Sequence, residues 1–105
     1  MKFAATVLTL ALLGPGAWAQ EAGNPAAGKL LSEDNCSRCH NIEPGGAFKL
    51  FPPSFTAIAT YMDPQIIRVR IMYPEHAAIM PQFHTYMNVT NLDDLVAYIV
   101  SLDEE

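Results

Sequence analysis

Cys36-Ser37-Arg38-Cys39-His40 is the stretch that decides how the rest of the chain is read. Two thiols separated by two residues can each add to a vinyl group of one porphyrin and form a thioether. The residue after the second cysteine then lies beneath the iron, where a histidine offers an imidazole nitrogen as proximal ligand. Attachment of one haem through Cys36 and Cys39, with His40 on the iron, explains why all three are contiguous. With ordinary composition the pattern arises by chance in roughly one chain of this length in a few thousand. Three other chemistries fit less well. A thioredoxin-like pair requires a βαβ setting, and no segment here sustains strand alternation. A structural zinc site requires a second ligand pair, for which His76 and His84 are the candidates without a further cysteine. A disulfide between such near neighbours closes a tiny loop and would restrain the unfolded chain little.

Upstream of the motif, Lys2 precedes an apolar run from Phe3 to Leu13, broken by Gly14-Pro15-Gly16 and followed by Ala17-Trp18-Ala19. This is the grammar of a secretory signal, read as residues 1–19 with Gln20 as the mature N-terminus and residues 20–105 as one domain. The run is well short of the ~20 residues that span hydrocarbon, so no stable membrane insertion is expected after cleavage. Of the 105 residues, 86 remain, a size at which a cofactor, metal or staple usually supplements the core. The whole chain carries a formal charge of −5, and loss of Lys2 takes it to −6. No basic footprint for nucleic acid is present, and a basic patch on a protein partner is the complementary surface.

The elements downstream read as helices. Asn24-Pro25 is a cap followed by proline at the first helical position, and a helix from Pro25 to about Asp34 leads into the cysteines. Asn41 to Pro53 holds four prolines or glycines before Pro53 and is a loop. Ser54 caps a short helix through Phe55, Ile58 and Ala59. Asp63-Pro64 repeats the cap signal for a helix ending at Met72, before Pro74. Tyr73 to Val89 is again a loop. Thr90, with Asp93 three residues on, is the expected cap of the clearest helix, whose Leu92, Leu95, Val96, Ile99 and Leu102 share one face.

With these residues in place, the chain resembles the class I (mitochondrial-type) c cytochromes, specifically their small bacterial periplasmic members, over essentially all of residues 25–102. Gly28 stands where the family packs its first helix on its last, and Tyr98 with Leu95 at the aromatic contact of the last helix. Pro53 falls where a family carbonyl accepts the Nδ1–H of the haem histidine. Ile79-Met80-Pro81 is similar to the segment that supplies the axial sulfur. Two departures stand out: Ser32 replaces an aromatic four residues after Gly28, and no tryptophan follows the signal. Arg70 lies about where small bacterial relatives carry that tryptophan, and arginine is a natural partner for a haem propionate.

The resemblance implies an all-α cytochrome c fold, about four short helices and long loops wrapped around one covalently bound haem c. It implies iron ligated by His40 and Met80, with Met87 and a bis-histidine arrangement through His76 or His84 as the other choices. A histidine–methionine pair saturates the iron and favours the ferrous state, which suits outer-sphere electron transfer and leaves no catalytic residue to assign. The expected function is a periplasmic carrier of single electrons, free or as a small subunit. Its redox partners would be a dehydrogenase, an oxidase or a membrane electron-transfer complex. The alternative is a peroxidase or gas-binding protein with an open or bis-histidine distal side.

Overall fold

A computed structural model describes residues 22–46, 51–75 and 80–103. The signal segment 1–19, Gln20, His76 and Ile79 lie outside the described residues. The described residues contain four α-helices, one 3-10 turn and no strand, so the all-α cytochrome c fold read from the sequence is the observed one. The helices are α1 (Pro25–Asn35), α2 (Phe55–Tyr61), α3 (Pro64–Met72) and α4 (Val89–Ser101). A 3-10 turn over Phe83–Thr85 lies inside the stretch expected to be loop throughout.

Three helix starts follow directly from their caps. The Asn24 side chain accepts the Ala26 and Ala27 amides, Ser54 accepts that of Ala57, and Asp63 accepts that of Gln65. The start of α4 differs from expectation. Asn88, not Thr90, is the cap: its side chain accepts the Asn91 amide at 2.8 Å, and the Asn91 side chain accepts the Asn88 amide at 3.3 Å. This reciprocal box satisfies two amides at once, so the helix begins two residues earlier than Thr90 would allow.

The first and last helices form the centre of the molecule. Gly28 is buried against α4, where a Cβ would stand 2.6 Å from the Asp94 carbonyl carbon and 2.8 Å from Tyr98 Cβ. Only a residue without Cβ allows this approach. The Asn24 amide donates to Asp94 Oδ1 at 2.8 Å and ties the start of α1 to the same place. One turn on from Gly28, Ser32 is fully buried, its hydroxyl donating to the Gly28 carbonyl at 2.8 Å. A small residue therefore extends the close contact one turn further along α1. On α4, Leu92, Leu95, Val96, Ile99 and Leu102 are all buried, as their spacing predicts. Ile67 and Ile71 bring α3 into the same core, and Arg68 reaches Asp93 of α4 in a partly buried ion pair.

Candidate functional site

The cysteine segment grows out of α1. The Ser32 carbonyl accepts from both the Cys36 amide (2.9 Å) and the Ser37 amide (3.0 Å). The Cys36 carbonyl in turn accepts from Cys39 (3.1 Å) and His40 (2.9 Å). These bonds wind the motif into a tight turn that presents Cys36 to the core and leaves Cys39 exposed; both are free thiols. From the other side, the Tyr98 hydroxyl donates to the Ile42 carbonyl at 2.6 Å, so α4 fixes the chain two residues beyond His40.

His40 is oriented by the segment that follows the first loop. Its Nδ1 lies 2.6 Å from the Pro53 carbonyl oxygen. A carbonyl can only accept, so Nδ1 carries a proton, which directs Nε2 to be the nitrogen that would ligate a metal. The Phe55 amide donates to the Asn41 carbonyl at 2.9 Å, which clamps the start of α2 beside the histidine. Phe55 itself, almost wholly buried, lies 5.4 Å from the His40 ring and 6.4 Å from the Tyr98 ring. Tyr98, Phe55 and His40 thus form a continuous packed row.

The sulfur chemistry is set by burial. Desolvation in the core, with a smaller contribution from Cys39, pushes the Cys36 thiol up to about 12. A site that disfavours thiolate is poorly suited to a redox-active dithiol or to thiolate–zinc ligation, both of which need the anion. A thioether carries no charge and meets no such penalty. Among the described residues no group of three or more His, Cys, Asp or Glu converges as a metal cage. The donor set fits haem c: two thiols suited to neutral thioethers, and one imidazole nitrogen free for iron.

The profile of the family described as cytochrome c oxidase, cbb3-type, subunit III matches residues 23–99. The chain belongs to that family. It is a small c-type cytochrome with covalently bound haem c and an electron-transfer role. Comparison with curated proteins and with solved structures returned no match.

The remaining residues singled out in this cytochrome fall into two groups. Pro53 meets His40 as described. Met80 is half-buried and packs on the edge of the core, whereas Met87 is buried within it; its amide donates to the Phe83 carbonyl at 2.8 Å. Met62 and Met72 also pack against the core from outside. His84 lies at the far end of α3, its Nδ1 3.0 Å from the Met72 carbonyl and its ring stacked on Tyr73 at 5.1 Å. Arg70 pairs with Glu75 at 2.9 Å, both side chains well exposed. Sequence reasoning did not identify Ser32 as the anchor of the cysteine turn or Phe55 as the packing partner of His40. The recurrence of small residues at Gly28 and Ser32, one helical turn apart, was the available signal for the first.

Proposed function

We propose that this cytochrome is an exported, single-haem electron carrier whose iron is ligated by His40 and Met80. The bound haem supplies a one-electron Fe(III)/Fe(II) couple, and the protein supplies attachment, orientation and a dry pocket. The observation that carries the reading is the Nδ1 contact of His40 with Pro53, which dedicates the imidazole to one ligand role. Met80 supports the sixth position because it is half-buried beside the core and followed by Pro81, which restricts the backbone there. His84 is engaged with Met72 and Tyr73, which favours sulfur over a second imidazole. Arg70 keeps further guanidinium donors beyond its bond to Glu75 and is the proposed propionate partner.

A saturated iron suits transfer to and from other proteins instead of chemistry on a small substrate. The acidic chain, −6 without the signal, favours a docking face of opposite sign on the partner, an oxidase, dehydrogenase or membrane electron-transfer complex. The signal-like residues 1–19 support a periplasmic location, as a free shuttle or a small subunit.

The test is Met80→Ala in the haem-loaded protein. The oxidised parent should show the weak near-infrared band of sulfur-to-iron charge transfer and should not bind carbon monoxide. The variant should lose the band, bind carbon monoxide and have a lower reduction potential. A variant that keeps the band transfers the role to Met87. A parent without it removes sulfur from the sixth position.

A further inference from the structure

Met80 lies between the end of α3 and the 3-10 turn, so whatever holds those two elements bears on its position. On the N-terminal side α3 is anchored by Ile67 and Ile71 in the core and by Arg68 on Asp93. On the C-terminal side Phe83 is almost fully buried; its amide donates to the Pro81 carbonyl at 3.1 Å, and its own carbonyl accepts the Tyr86 and Met87 amides. One direct polar contact joins the two sides. The Met72 carbonyl is among the last of α3, which have no acceptor role inside the helix. His84 Nδ1 reaches it at 3.0 Å, and the His84 ring stacks on Tyr73, the C-cap residue, with only 24° between the planes.

Resting on the reading of Met80 as iron ligand, we propose that His84 is a positioning residue: it clasps the 3-10 turn to the end of α3 and so holds the Met80 stretch in place. A carbonyl only accepts, so His84 donates through Nδ1 and satisfies an orphan carbonyl of α3. The clasp adds a direct tie between two elements that the core already anchors, which limits how far they can move apart and so how far the Met80 sulfur can stray from the iron. The ring stack adds a second, non-polar hold on the same helix end. His84 is thereby placed in support of the sixth ligand instead of serving as that ligand.

The experiment compares the haem-loaded parent with His84→Ala, His84→Phe and His84→Gln. Phenylalanine keeps a stacking ring and removes the donor; glutamine keeps an N–H donor and removes the ring. Two readouts are taken: the thermal midpoint at which the near-infrared sulfur-to-iron band is lost, and hydrogen exchange of amides from Phe83 to Asn88. The alanine variant should lose the band at lower temperature. Its amides in that stretch should exchange faster by on the order of fivefold to tenfold, while those of Val96 and Ile99 stay unchanged. Glutamine should recover part of both effects, and phenylalanine should recover less. Unchanged band loss together with unchanged exchange in the alanine variant overturns the clasp. Carbon monoxide binding by His84→Ala but not by Met80→Ala also overturns it, because His84 would then be the ligand. A parent lacking the band overturns the Met80 reading alone, and the exchange arm still decides whether the clasp exists.

Discussion

Gly28→Ala is the most demanding test of the fold, because it adds one methyl group where α1 meets α4. The new Cβ would stand 2.6 Å from the Asp94 carbonyl carbon and 2.8 Å from Tyr98 Cβ. Carbon atoms normally approach to about 3.5–4.0 Å, so the helices must separate by roughly 1 Å. Neither obstacle can rotate aside, since one is backbone and the other is the first atom of a buried side chain. Overpacking of this kind costs about 1–3 kcal/mol. The separation also pulls on two bonds: Asn24 to Asp94, and the buried Tyr98 hydroxyl to the Ile42 carbonyl. Leaving the latter group unsatisfied adds about 1–3 kcal/mol. Alanine returns about 1 kcal/mol through its better helix propensity. The net loss should be about 1–5 kcal/mol, a fall in melting temperature of roughly 5–40 °C for a domain of this size. Far-UV circular dichroism of the haem-loaded protein on heating measures it. A variant as stable as the parent would mean that only the propensity gain is felt and that α1 and α4 cross elsewhere.

Four other substitutions probe single positions. Tyr98→Phe should cost about 1–3 kcal/mol at pH 8, because it orphans the Ile42 carbonyl. Burial, then Glu43 and Glu33, raise the Tyr98 pKa. The unfolded chain therefore ionises first, and the advantage of tyrosine, intact below pH of about 10, should shrink above it; urea midpoints of parent and variant at pH 8 and 11 that differ equally would contradict this. Thr56 Oγ1 is buried without a hydrogen-bond partner among the described residues, so Thr56→Val should stabilise the protein by about 1 kcal/mol, and destabilisation would reveal a partner for that hydroxyl. Asn88→Ala should cost about 1 kcal/mol in denaturant titrations and Thr90→Ala less than about 0.5 kcal/mol; the reverse order would restore Thr90 as the cap.

Much of the arrangement was readable because it depends on local chemistry. Asn24, Ser54 and Asp63 each announce a helix through a side chain that accepts an amide two or three residues on. The α4 face followed from spacing alone. Thr90 was misread as a cap because the threonine-x-x-aspartate pattern competes with Asn88-x-x-Asn91, and only geometry shows which pair closes. The 3-10 turn over Phe83–Thr85 was hidden between Pro81 and Met87, where the burial of Phe83 decides the conformation. The pairing of Arg70 with Glu75 and of His84 with Met72 could not be read either. Both cross a proline-containing turn whose path is set by packing.

The His40 side of the site is tied to three helices, and this bears on how the protein works. The segments around His40 are tied to helices, and its direct partner, the Pro53 carbonyl, immediately precedes the Ser54 cap of α2. Asn41 is fixed by Phe55, Ile42 by Tyr98, and the cysteine turn by Ser32. Tyr98, Phe55 and His40 then pack in a row that cannot shift without disturbing the α1–α4 crossing. Met80 packs on the edge of the core and is followed by Pro81, whose carbonyl accepts the Phe83 amide. Electron transfer is fast when little has to move between oxidation states, so a rigid imidazole side favours a carrier. A sulfur on a loop can still adjust to the small change in iron size, provided the ends of that loop stay pinned. The buried Phe83 and the His84 contact supply that pinning at one end, and the core residues of α3 supply it at the other. Loss of both pins should therefore damage the proposed sulfur ligation while leaving haem attachment and the His40–Pro53 contact intact. That asymmetry follows directly from where the sequence puts its helices.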